Sequence, residues 1–202
     1  MDKYYTYRPM IDLIGKSEGT APPKGRGYNE TLGYGAYTGG DVELVKMTLD
    51  EIDELQTRML RHPKNKLRSS ALGWPQIIRT TLRDIRQKLG FTGKELFNEE
   101  MQERLTCYLL GVRGIDKWLA GRLHIDTLLT NLSQEWASLP KPDGRGYYDG
   151  QRASVTVEEV KRALSQVKAR HDDQNPPIEI VPPRVEEEVK KKTGLWQWRT
   201  GL

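Results

Sequence analysis

The sequence predicts a mainly α-helical domain over residues 1–170 with one small irregular or β lobe, followed by a disordered tail over residues 171–202. Three observations carry this: apolar residues recur at helical spacing through most of the chain, glycine crowds into residues 33–45, and four prolines with two charge blocks follow His171. A chain of 202 residues holds one core of substantial size plus extra segments, not two full domains.

The helices follow in order. "YRPMIDLIGKSE" puts Met10, Leu13, Ile14 and Ser17 on one face, and Pro9 is acceptable in a first turn. Glu18 should therefore end a short helix, because the Gly- and Pro-rich run behind it forbids continuation. "MTLDEIDELQTRML" opens with Thr48 three residues ahead of Glu51, the spacing of a capping box, and continues with Leu49, Ile52, Leu55 and Met59. "GWPQIIRTTLRDIRQKLG" repeats the pattern with Ile77, Ile78, Leu82, Ile85 and Leu89 and closes on Gly90. "NEEMQERLTCYLLGV" and "HIDTLLTNLSQEWASL" give two more helices, the second stopped by Pro140, and residues 155–170 give the last. Residues 33–45, "GYGAYTGGDVELV", read as a hairpin or an irregular lobe.

The tail is a Pro- and charge-rich linker that ends with Lys190, Lys191 and Lys192 ahead of Trp196 and Trp198. Cations beside tryptophans suit a membrane surface. Two alternatives stand beside that reading: a plain disordered tail, and a chain that continues into an anchor. The N-terminus shows no apolar run of signal-peptide type, so synthesis in the cytoplasm and release by another factor are expected.

Several chemistries are excluded on pattern. The 32 basic and 28 acidic residues are interspersed, and no nucleic-acid motif accompanies them, so a nucleic-acid partner is not expected. "GYGAYTGG" lacks the phosphate-binding spacing and a leading strand. His62, His124 and His171 have no ligand partners at metal spacing, so neither a metal nor another cofactor is expected. The single cysteine, Cys107, lies on an apolar stripe and reads as a buried thiol, which rules out a disulfide framework. Asn29 and Asn131 match the short glycosylation pattern by chance, and no Ser, His and Asp set suggests a hydrolase triad.

Two stretches could carry function. "SEGT" delivers one carboxylate, Glu18, from a helix end into a loop of Gly, Pro, Tyr and Asn. "SSALGWPQII" presents Ser70, Gly73 and Gln76 as S-x-x-G-x-x-Q, where Gly73 lets the backbone approach a ligand and Gln76 offers an amide. The same serine could simply cap a helix.

In the order "SEGT", "GYN", "SALGWPQI", "QERLTCYLL", "LSQEWASLP", the chain resembles the phage endolysins of the lambda lysozyme type, over roughly residues 4–164. The resemblance implies a lysozyme-like fold and cleavage of the β-1,4 bond between N-acetylmuramic acid and N-acetylglucosamine in bacterial peptidoglycan. It implies Glu18 as general acid, with Tyr28, Asn29, Trp74 and Gln76 in the glycan groove beside Ser70 and Gly73, in an expected monomer. Pro75 departs from the aromatic residue usual before the glutamine, and residues 50–68 look more helical than the family's β-lobe. A hydrolase needs a second carboxylate, for which Asp41, Glu43 and Asp50 are candidates without a motif, whereas a lytic transglycosylase needs one. The single advertised glutamate favours transglycosylation. A non-catalytic lysozyme-like binding protein is the alternative, and the presence of Glu18 speaks against it.

Overall fold

A computed structural model describes residues 2–173 and shows a mainly helical chain. Its α-helices are α1 (Arg8–Ser17), α2 (Leu49–Arg61), α3 (Arg79–Leu89), α4 (Glu99–Val112), α5 (Ile115–Leu119), α6 (Ile125–Glu135) and α7 (Val157–Asp172). Single 3-10 turns occupy Gly27–Asn29 and Leu44–Lys46. The expectations for Lys190 to Trp198 lie outside the described residues.

The caps show why these segments are helical. Thr48 accepts from the Glu51 N–H while the Glu51 carboxylate accepts from the Thr48 N–H, so the capping box at the start of α2 is complete. Thr156 and Glu159 build a second box on α7. Asn98 caps α4, and Gly90 closes α3 in the left-handed region at φ 68°. Residues 33–45 form the irregular lobe: turns fill residues 33–39, irregular chain leads into the 3-10 turn at Leu44, and the β-bridges among the described residues are isolated pairs, Thr31 with Leu72, Thr48 with Leu96 and Leu72 with Ile77.

Three boundaries differ from the sequence reading. α3 begins at Arg79 because Leu72 and Ile77 exchange backbone hydrogen bonds of 3.1 and 3.0 Å, and both Gly73 and Gln76 hold positive φ; that tight turn cannot be helix. α6 ends at Glu135, well before Pro140, because Trp136 takes an extended backbone that buries its ring. α7 continues through Asp172, so His171 and Asp172 belong to the helix and not to the tail.

α1 runs through the middle of the core, with Met10, Ile11 and Ile14 fully buried. It packs along α7, where Lys16 pairs with Glu159 at 2.7 Å and the Arg170 guanidinium sits over the Tyr5 ring. On another side Arg8 pairs with Glu103 of α4. Cys107 is buried among apolar side chains, which pushes its thiol far above the usual range and makes it inert. This packing fixes the last turn of α1, from which Glu18 emerges.

Candidate active site

Glu18 is the residue at which α1 stops. Its N–H still donates to Ile14 O at 2.9 Å, and Gly19 then turns the chain at φ 73°, a conformation that a side chain would strain. Thr20 and Ala21 fold back so that both N–H groups reach Gly15 O, and the Thr20 hydroxyl bridges Gly15 O and Trp74 O. The carboxylate is thus delivered from a rigid corner.

The Glu18 side chain is half-buried and meets one partner from the far end of the chain. Ser138 Oγ donates to Glu18 Oε1 at 2.5 Å, and the hydroxyl of Ser17 lies 2.8 Å from Ser138 Oγ and 3.0 Å from Ile14 O. Among the described residues no hydrogen bond engages Oε2. Burial raises the Glu18 carboxyl above the ordinary glutamate range, with the Ser138 hydroxyl and N–H pulling the other way. Desolvation wins, so the proton is retained to higher pH.

An aromatic ring stands beside this corner. The Trp74 indole packs against Gly15, where any Cβ would come within 2.2 Å of the ring, and its N–H donates to Ile11 O. Tyr28 stacks on Trp74 with centroids 4.9 Å apart and donates its hydroxyl to Glu103, which Arg8 also holds. Trp74 therefore lies against the last turns of α1, with Tyr28 stacked on it and tied through Glu103 to Arg8 at the start of the helix.

The other candidates have structural work. Ser70 is buried, and its Oγ accepts from the Arg79 N–H nine residues on, so it caps α3 from a distance. A Cβ on Gly73 would stand 2.3 Å from Gln102 Oε1, so the close approach this glycine permits is to Gln102. Gln76 donates to Gly73 O within its own turn, and Asn29 Oδ1 accepts from Val45 N, tying down the irregular lobe. Gln76 and Trp136 also line a groove of about 510 Å³ whose rim includes Tyr108 and Tyr148. Asp41, Glu43 and Asp50 are exposed, and each is matched by a cation: Arg26, Lys46 and Arg86.

Sequence reasoning missed Ser138, Gln102 and Glu103. Ser138 sat in plain view inside "EWASLP", but only proximity in space reveals its role. Gln102 is fully buried on α4; it accepts from Trp74 N and donates to Tyr28 O and Phe97 O, making it the hub that sets both aromatic residues. A glutamine at a core position of an amphipathic helix was the available signal. Among the described residues no three metal-ligating side chains converge.

The family model described as Endolysin matches residues 8–169 of the chain. No curated protein and no solved structure matches it.

Proposed function

From the premise that the chain belongs to the endolysin family, we propose that it cleaves the β-1,4 bond between N-acetylmuramic acid and N-acetylglucosamine with Glu18 as its single acid. Family membership makes it a peptidoglycan-degrading enzyme of phage-driven cell lysis. The bond, the residue and the reaction type are our reading. The observation that carries it is the Glu18 carboxyl, half-buried, with Oε1 held by Ser138 and Oε2 left open.

With Oε1 occupied as an acceptor, the acidic proton resides on Oε2. Protonation of the glycosidic oxygen breaks the bond to the muramic acid C1 and leaves a carboxylate on Glu18. The Ser138 hydroxyl and N–H stabilise that new charge, and the Ser17 hydroxyl can turn from Ile14 O to support Ser138. The muramic acid 6-hydroxyl then attacks C1 while the Glu18 carboxylate takes its proton. The acid is restored, and the product carries a 1,6-anhydro ring. This route needs no second carboxylate, in keeping with the cation-matched Asp41, Glu43 and Asp50. The partly exposed Tyr28 ring, backed by Trp74, supplies an apolar face for a sugar ring, and the groove at Gln76 gives a glycan strand room.

Mass spectrometry of muropeptides released from purified sacculi tests the proposal. Products ending in 1,6-anhydro-muramic acid support it, and ordinary reducing ends point to hydrolysis with water. Release of no glycan at all would leave a binding role.

A further inference from the structure

The strongest charge asymmetry in the chain lies outside this site. Between Glu54 and Asp84 there is no acidic residue and there are seven basic ones, although the whole sequence is nearly balanced at 32 to 28. Arg79 donates to the Thr57 hydroxyl and Arg83 pairs with Asp53. The remaining five, Arg58, Arg61, Lys64, Lys66 and Arg68, are exposed at the end of α2 and in the loop that follows, and among the described residues none of them forms an ion pair.

That loop has a built shape. Asn65 is buried at its centre, 4% exposed, and its amide donates to Met59 O and to Ser69 O, both at 2.8 Å. The Asn65 N–H reaches His62 O, the Arg68 N–H reaches Asn65 O, and Arg68 is held at φ 48°. Between Lys66 and Arg68 this frame pushes out Leu67, 74% exposed, the most solvent-facing of the large apolar side chains among the described residues. Leu67 thus stands as an apolar tip ringed by cations on a pinned backbone.

We propose that residues 58–68, the last turn of α2 and the start of the loop after it, dock on an anionic phospholipid surface, with Leu67 entering the headgroup boundary and the five cations meeting lipid phosphates. Charge complementarity fits any polyanion. Leu67 decides between them, because a solvated anionic wall polymer gives it nothing to bury in, whereas a lipid interface offers phosphate and acyl chain at adjacent depths. The long Lys and Arg stems let their charged ends reach the phosphates while the leucine goes deeper. The proposal is independent of the cleavage mechanism.

The test is co-sedimentation of the full chain with phosphatidylcholine vesicles that contain or lack phosphatidylglycerol, at low and physiological salt. The expected result is binding that requires phosphatidylglycerol. Replacing the five cations by glutamine (Arg58→Gln, Arg61→Gln, Lys64→Gln, Lys66→Gln, Arg68→Gln) should weaken it by about tenfold or more. Leu67→Ser alone should weaken it by about threefold, with unchanged far-UV circular dichroism in both variants. Lys190→Gln, Lys191→Gln and Lys192→Gln in an otherwise intact chain isolate any share of the tail, and the loop effect should persist on that background. Wild-type binding by the five-glutamine chain overturns the proposal. So does loss of retention on lipid-free sacculi in that variant without a change on vesicles, which would assign the loop to a wall polymer.

Discussion

The corner at Glu18 and the turn from Ser70 to Gln76 look alike in sequence, each a short polar motif at the edge of an apolar helix, yet their polar groups are engaged differently in the structure. At Glu18 the protein leaves one carboxyl oxygen open and desolvates the group. At Ser70 to Gln76 nearly every polar atom is already engaged within the scaffold: Ser70 with Arg79, Gly73 against Gln102, Gln76 with Gly73. A hydrogen-bonding side chain that already has a buried partner orients the fold; one left incomplete at a half-buried corner is available for chemistry.

The sharpest way to break this contrast is Glu18→Gln. The amide can still accept from Ser138, so the fold should persist while turnover on sacculi falls by about 10²–10⁴-fold. Stability should move the other way. Because the folded-state pKa of Glu18 is raised above its ordinary value of 4.5, wild type loses stability as pH climbs from that value through the raised one. The glutamine variant lacks that loss, so its advantage in thermal unfolding should be present at neutral pH and shrink towards pH 4.5.

Gly73→Ala attacks the other region. Its φ of 73° and the 2.3 Å approach of Gln102 Oε1 leave no room for a methyl group, so unfolding free energy should drop by about 1–3 kcal/mol. Thermal denaturation reads this directly, and an unchanged midpoint would remove Gln102 as the reason for the glycine. Ser138→Ala should lower turnover by about tenfold. It should also move the high-pH limb of the rate profile upward, since losing a donor to the carboxylate raises the acid's pKa further. A fall in rate with no shift of the limb would reduce Ser138 to a packing role. The smallest effect belongs to Ser70→Ala: about 1 kcal/mol of stability through the lost cap on Arg79, with the activity of the folded enzyme unchanged.

Local signals were legible in the sequence where local physics decides. The Thr48 and Glu51 box, the Gly90 stop and the end of α1 at Glu18 depend on neighbours within a few residues, and all three appear as the spacing predicts. The turn from Leu72 to Ile77 did not follow its helical periodicity, because Gln56 of α2 donates to both Ser70 O and Ile77 O and stabilises a bend that no local pattern announces. Likewise Ser138 lies 120 residues from Glu18, and Gln102 reaches Trp74 and Tyr28 across 28 and 74 positions. Periodicity is blind to such pairs. In the candidate site Glu18, Tyr28 and Trp74 could be singled out in advance, while the groups that hold them, Ser138, Gln102 and Glu103, could not.

Burial keeps the Glu18 carboxyl protonated to higher pH than an ordinary glutamate. A ¹³C NMR titration of the Glu18 carboxyl, identified by its disappearance in Glu18→Gln and repeated in Ser138→Ala, tests it most directly. The wild-type midpoint should lie above 4.5 and that of Ser138→Ala higher still; a wild-type midpoint at or below 4.5 would mean that burial does not desolvate Glu18.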